Sequence, residues 1–170
     1  PNDIFMKEGA KFIQIISDSN ADFPLKHDKN WNENILFDSL VESINAFLLV
    51  NAIRDLREQS VKNSHRSMLI NISRFIKVQE KIEILVNNKL ENITNSIKQA
   101  QRLDFNSYIK NNYINSIYET YKKHYSHIYS WNEVFSVLYE AIKDIKIFKV
   151  PTKDKNKQLN YDKHEEHGLR

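Results

Sequence analysis

Two glycines, Gly9 and Gly168, and three prolines are all the punctuation this 170-residue chain contains. Glycine supplies the positive-φ positions that tight turns and phosphate-cradling loops need, and proline starts many turns. A chain so poor in both makes few hairpins, so long helices dominate what it can fold into. The same two residues exclude a glycine-rich nucleotide loop, because neither G-x-G-x-x-G nor G-x-x-x-x-G-K can be written with them. The absence of cysteine excludes thiol nucleophiles, disulfides and cysteine-based zinc sites. Hydrophobic residues at 41% and charged residues at 28% place the chain in the globular range. Its length favours one domain, or one piece of a larger protein. No apolar run approaches the roughly 18–20 residues of a membrane helix. The opening Pro1-Asn2-Asp3 reads as an internal boundary rather than a signal peptide. A soluble cytoplasmic protein with no membrane partner is the expectation. The net charge of +3 permits a nucleic-acid role without demanding one. Asn, Ile and Lys are used heavily throughout, so the lysine count carries little weight.

Periodicity divides the chain. Lys11-Phe12-Ile13-Gln14-Ile15-Ile16 is short and β-branched, which predicts a strand, and a polar loop follows it. Ser39-Leu40-Val41-Glu42 has the form of a capping box. Behind it Leu40, Ile44, Phe47, Leu48, Ala52, Ile53 and Leu56 recur at helical spacing, predicting a helix over 39–59. Leu48-Leu49-Val50 widens its apolar face, so burial on more than one side is expected. Ser67-Met68-Leu69-Ile70-Asn71-Ile72-Ser73 reads as a buried strand. Phe75, Val78, Ile82, Val86, Ile93 and Ile97 then mark a helix over 75–101. Asp104 caps a further helix carrying Tyr108, Tyr113, Ile117 and Tyr121. Ser130-Trp131-Asn132-Glu133 is a second capping box, opening a helix with Val134, Phe135, Leu138 and Ile142. Residues 145–150 alternate polar and apolar, which predicts a strand ended by Pro151. Three strands so far apart make a poor sheet by themselves. A truncated α/β unit with a large helical insertion accounts for them.

Candidate chemistry is sparse. His124 and His127 lie three apart on a predicted helix, where two imidazoles can share a metal, but Tyr121, Tyr125 and Tyr129 around them make a packed aromatic face the better reading. His164-Glu165-Glu166-His167 is ligand-rich, yet sits in a polar tail without a scaffold. Asp144-Ile145-Lys146 supplies the D-x-K of a restriction-type nuclease core, without a second carboxylate on a neighbouring strand. The aromatic residues between Phe105 and Tyr139 could stack bases, though their helical spacing fits a core better. Asn92-Ile93-Thr94 matches a glycosylation acceptor, but on an intracellular helix it is noise. The segment that stands out is Ser73-Arg74-Phe75-Ile76-Lys77. A strand ends and a helix begins there, so free backbone amides and the positive end of the helix face outward together. A hydroxyl, a guanidinium and an ammonium join them, a combination suited to a phosphate. The alternative is an ordinary junction whose arginine pairs with a nearby glutamate.

His65-Arg66-Ser67-Met68-Leu69-Ile70-Asn71-Ile72-Ser73-Arg74-Phe75, followed by Val78-Gln79, resembles the signature of the Z1 domain family, whose name carries the word endonuclease. Two flanking stretches agree in order. One runs from Asp38-Ser39-Leu40 through Phe47-Leu48-Leu49 to Ile53-Arg54-Asp55-Leu56-Arg57, the other from Leu159-Asn160-Tyr161-Asp162 to His167-Gly168-Leu169. One departure is Asn71, which stands where the signature leads us to expect His. The resemblance implies part of a much larger protein similar to superfamily-two helicases, encoded beside DNA methylases in restriction-modification and phage-defence loci. Its nucleotide loop and acidic metal motif would precede Pro1, and its arginine-bearing motifs would follow Arg170. ATP and Mg are thus cofactors expected of the full-length protein, with none held here.

The implied layout is a strand-and-loop segment over 1–37, a linking helix and loop over 38–66, the start of a second motor domain with a helical insertion over 67–150, and a polar tail over 151–170. The fold class expected is mainly α with a few short strands, a helical insertion on a truncated α/β, RecA-like motor-domain sheet. The implied partners are DNA, other domains of the same polypeptide and other subunits of a defence system. In motors of this class such junctions grip the nucleic-acid backbone, so Ser73, Arg74 and Lys77 are the expected DNA contacts. No catalytic or metal-binding residue is expected. A non-catalytic helical module that docks a partner through its Tyr-rich helices is the rival reading, and a metal-dependent nuclease using Asp144 and Lys146 is the third.

Overall fold

A computed structural model describes residues 16, 31, 34–57 and 65–149. Its elements are α1 (Asp38–Arg57), α2 (Ile76–Ala100), a single turn α3 (Phe105–Tyr108), α4 (Asn112–His124) and α5 (Trp131–Ile142). Among the described residues there is no strand and no sheet, which overturns the expectation of a truncated RecA-like motor sheet; the mainly α expectation stands. Residues 67–73 and 145–149 lie outside any helix or strand, although exposed and half-buried side chains alternate along 67–72, and a strand exists only where a neighbouring backbone completes its ladder. None of the described residues does so. The strand expected over 11–16 lies outside the described residues except for Ile16, which is exposed and outside any helix or strand.

The helices close a four-sided bundle. α1 lies against both α5 and α4, and α2 lies against the same two, so α1 and α2 occupy opposite corners. This explains the wide apolar face of α1, on which Leu40, Ile44, Leu48, Leu49, Ala52 and Ile53 are all buried. α1 packs more extensively against these two neighbours than α2 does, which matches its broader apolar face. α2 carries a single narrow stripe, Val78, Ile82, Val86, Ile93 and Ile97, along its roughly 38 Å length.

Aromatic residues fill the space between α3, α4 and α5. Tyr108 stacks on Phe135 with ring centroids 4.4 Å apart. Trp131 meets Tyr118 at 5.0 Å and Tyr121 at 5.2 Å. The polar tips find partners: Trp131 Nε1 donates to the Tyr108 hydroxyl at 3.0 Å, and the Tyr121 hydroxyl donates to the Tyr129 carbonyl at 2.7 Å. Burial pushes the phenols of Tyr108 and Tyr121 above their ordinary range. The reading of these tyrosines as core filling therefore holds for Tyr108 and Tyr121.

Three helix starts follow local chemistry, and one predicted cap does not form. Ser130 and Glu133 form the predicted capping box, with Ser130 N–H donating to Glu133 Oε2 at 2.8 Å. Asp104 caps α3, accepting from Ser107 N–H at 3.2 Å. The single helix expected behind Asp104 is broken, because Asn111 Oδ1 accepts from Tyr113 N–H at 2.9 Å and from Ile114 N–H at 3.3 Å, starting α4 afresh. Ser39 is the exception. The Phe37 carbonyl accepts the first helical bonds from Leu40 and Val41, so Ser39 already lies inside α1. Glu42, its expected box partner, reaches across to α4 instead.

Candidate nucleic-acid interface

The N-terminal end of α2 is built by the segment before it. Arg66 fastens that segment to α1: its Nη1 donates to the Asn51 carbonyl at 2.8 Å and pairs with Asp55 Oδ1 at 2.7 Å, its side chain only 3% exposed. Met68, Ile70 and Ile72 then pack against the core. Ser73, 7% exposed, braces the entry to the helix. Its Oγ accepts from Phe75 N–H at 3.0 Å, and its carbonyl accepts from Gln79 Nε2 at 2.7 Å.

The three residues expected at the DNA backbone are thus separated in role. Ser73 is turned into the junction and holds its shape. Arg74 and Lys77 are exposed on the outside of it. Arg74 lays its guanidinium over the Phe75 ring at 5.0 Å, which fixes its plane near the helix end. Two further cations lie near this end, Lys149 on another segment and Lys81 on α2 itself. Lys149 pairs with Glu80 at 2.7 Å, and Lys81 donates to Asn34 Oδ1 at 2.6 Å.

The end of α2 differs from the other helix starts. Asp104, Asn111 and Ser130 cap the three later helices with side chains, and α1 carries Asp38 in its first turn. α2 starts at Phe75 with no side-chain cap and no acidic residue in its first turn. Its first amides and its positive dipole end have no anionic side chain supplied from the helix itself.

The remaining candidates do not assemble. α4 ends at His124, so His127 lies in the turn beyond it, and the His124 ring instead sits 2.6 Å from Glu42 Oε1. Asp144, in the turn after α5, and Lys146 beyond it are both exposed. Among the described residues no group of three or more His, Cys or acidic side chains converges to hold a metal. His164 and His167 lie outside the described residues, and Asn92 and Thr94 are part of α2.

Sequence reasoning missed one ionic cluster. Glu42 on α1 receives Lys123 Nζ at 2.8 Å and faces the His124 ring from α4, 81 and 82 positions on. The Lys123 hydrogen bond, then that of His124, holds the Glu42 carboxyl below its ordinary value. Beside it a groove of about 620 Å³ runs between α1 and α4, floored by the buried Asn45 and by Thr120. Its charges compensate in pairs, Glu42 with Lys123 and Glu119 with Lys122. The contacts of Glu42, 81 and 82 residues apart, leave no mark on local periodicity.

A family model described as the Z1 domain matches residues 39–170. No curated protein matches the chain, and no solved structure does.

Proposed function

The chain belongs to the Z1 domain family, and from that premise we propose that it contributes DNA-backbone contacts and domain coupling to a longer, ATP-driven protein of the helicase or translocase kind serving restriction-modification or phage defence. ATP and Mg belong to other parts of that protein in this reading. The observation that carries the DNA contact is the end of α2, where exposed Arg74 and Lys77 flank a helix start with neither side-chain cap nor acidic first turn. Helix-terminal amides there amount to roughly half a positive charge. A guanidinium adds a bidentate phosphate contact that lysine cannot make. Lys77 lies about one turn on and reaches an adjacent phosphate. Contacts of this kind position a backbone and carry no sequence information.

Binding is therefore weak, independent of sequence and steeply salt-dependent. Fluorescence anisotropy with short single-stranded and duplex DNA across a salt series tests this. Replacing Arg74 and Lys77 with Ala lowers affinity and flattens the salt slope by about one to two counterions, with helicity unchanged. A double variant that binds both DNA forms as the parent does across the series removes the junction from any DNA role.

A specific observation favours the second reading, a docking module. Leu69 and Ile76, flanking the same junction, are among the most exposed large hydrophobics described. The predicted route, through the Tyr-rich helices, is the weaker one, since Tyr108 and Tyr121 are buried. A stable complex with a protein partner in the absence of DNA is its signature.

A further inference from the structure

Two segments from elsewhere in the chain are bonded to the early turns of α2. Residues 145–149 follow α5, with Ile145 and Ile147 packed against the core and Lys146, Phe148 and Lys149 exposed. At the end of this segment Lys149 Nζ donates to Glu80 Oε1 at 2.7 Å, across 69 positions of sequence. The pair is open to solvent, its side chains 38% and 52% exposed. One residue further along α2, Lys81 donates to Asn34 Oδ1, which lies ahead of α1. From Arg74 to Lys81 the sequence holds three cations, Arg74, Lys77 and Lys81, and a single acid, Glu80. Arg74, Lys77 and Glu80 recur every three residues, and on a helix such positions are surface neighbours. The lone acid of this stretch is therefore the group that holds a cation delivered from beyond α5.

We propose that Lys149 is a further contact to the DNA backbone, and that Glu80 restrains binding by competing with phosphate for it. The inference rests on the DNA reading of Arg74 and Lys77 and names what regulates that site. Glu80 lies about 4.5 Å beyond Lys77 along the helix axis. A phosphate backbone lying over Arg74 and Lys77 thus passes within a lysine's length of the Lys149 ammonium. Exposed ion pairs are weak and screened by salt, so a phosphate takes Lys149 from Glu80 at little cost. Only the flexible four-carbon stem has to swing, because Ile145 and Ile147 hold the segment in place. After the exchange Glu80 is left as a negative charge beside the DNA, and its repulsion offsets part of the gain. Lys81 differs, since its partner is a neutral amide oxygen that competes with phosphate far less.

Two opposite effects follow from this arrangement. Lys149→Ala should lower affinity for duplex DNA and flatten the salt slope by about 0.9 of a counterion, the share of one phosphate contact. Glu80→Gln keeps the shape and removes the competitor, so affinity should rise, by up to about fivefold at low salt, the strength of an exposed pair.

Fluorescence anisotropy with one short mixed-sequence duplex tests both, read from about 50 to about 200 mM salt. The proteins are the parent, Lys149→Ala, Glu80→Gln and the two changes combined. Both side chains are exposed, so circular dichroism should show unchanged helicity in all four. The gain from Glu80→Gln should shrink once Lys149 is Ala, because Glu80 then has no lysine to withhold. Such non-additivity marks two residues acting through one contact. An equal gain in both backgrounds means that Glu80 acts on DNA by its own charge alone, and overturns the proposal. The combined Arg74→Ala and Lys77→Ala variant separates this inference from the reading beneath it. If that variant loses affinity while Lys149→Ala and Glu80→Gln bind as the parent does, the DNA reading stands and this inference falls. A parent that binds no DNA removes both.

Discussion

The wall between α4 and α5 and the outer flank of α2 both carry large apolar side chains, yet they are finished differently. In the wall, Trp131, Tyr108, Phe135, Tyr118 and Tyr121 meet ring to ring, and the Trp131 N–H and Tyr121 hydroxyl both have partners. On the flank, Leu69, Ile76 and Ile84 are exposed, α2 starts without a side-chain cap, and residues 68–72 beside it have no backbone hydrogen bond to another described residue. The wall is complete within the bundle. Among the described residues the flank has shape and charge but no cover, so the difference separates the part that makes the fold stable from the part to which the DNA proposal belongs.

The largest effect should come from breaking the wall. Trp131→Ala removes a buried indole and leaves the Tyr108 hydroxyl without its donor, and truncations of this kind cost about 3–5 kcal/mol. Leu69→Ala on the flank should stay within about 0.5 kcal/mol, as exposed substitutions do. Urea denaturation of both proteins checks the contrast. Equal shifts in midpoint would show that the flank is covered in solution.

Arg66, which ties the segment before α2 to α1, should give an intermediate effect. Arg66→Ala leaves the Asn51 carbonyl and Asp55 without their buried donor, at a cost of about 2–3 kcal/mol. Hydrogen exchange should then quicken selectively over residues 67–73, because the anchor is lost while the wall is untouched. Uniform quickening through α4 and α5 would mean that Arg66 supports the whole bundle.

The smallest effect belongs to the Glu42 cluster. Its folded-state pKa lies below the ordinary 4.5, so the charged carboxylate stabilises the fold above that pH, and the contribution is lost as pH falls through the lowered value. The pairs are partly exposed to solvent, and the contribution is under about 1 kcal/mol. Glu42→Gln should therefore be slightly less stable than the parent at pH 7, and the two denaturation midpoints should converge as pH falls below 4.5. A gap that persists in acid assigns the contact to packing rather than charge.

Local chemistry was legible in the sequence. The helix expected over 75–101 is found as Ile76–Ala100, and Ser130 with Glu133 closes the predicted box. The double-sided burial of α1 was legible as well, since Leu48-Leu49 adds an apolar stripe whatever lies against it. The site was legible only in part. The order Ser73-Arg74-Phe75-Ile76-Lys77 marks a helix start, and Arg74 and Lys77 are exposed there. That Ser73 turns inward depends on Gln79, six residues on, bonding its carbonyl.

What the sequence by itself determined are features whose partners lie within about one helical turn: caps, stripes, and the alternation of residues 67–73. Tertiary structure decided whatever needs a partner far along the chain. Residues 67–73 alternate in the sequence, but a strand needs a second backbone, and none of the described residues provides one. Ser39 and Glu42 have the spacing of a capping box, yet Glu42 bonds Lys123 and faces His124, because bundle packing brings two cationic side chains of α4 to a carboxylate of α1. Hydrogen bonds and charges act over a few ångströms, and only the fold sets which distant residues come that close.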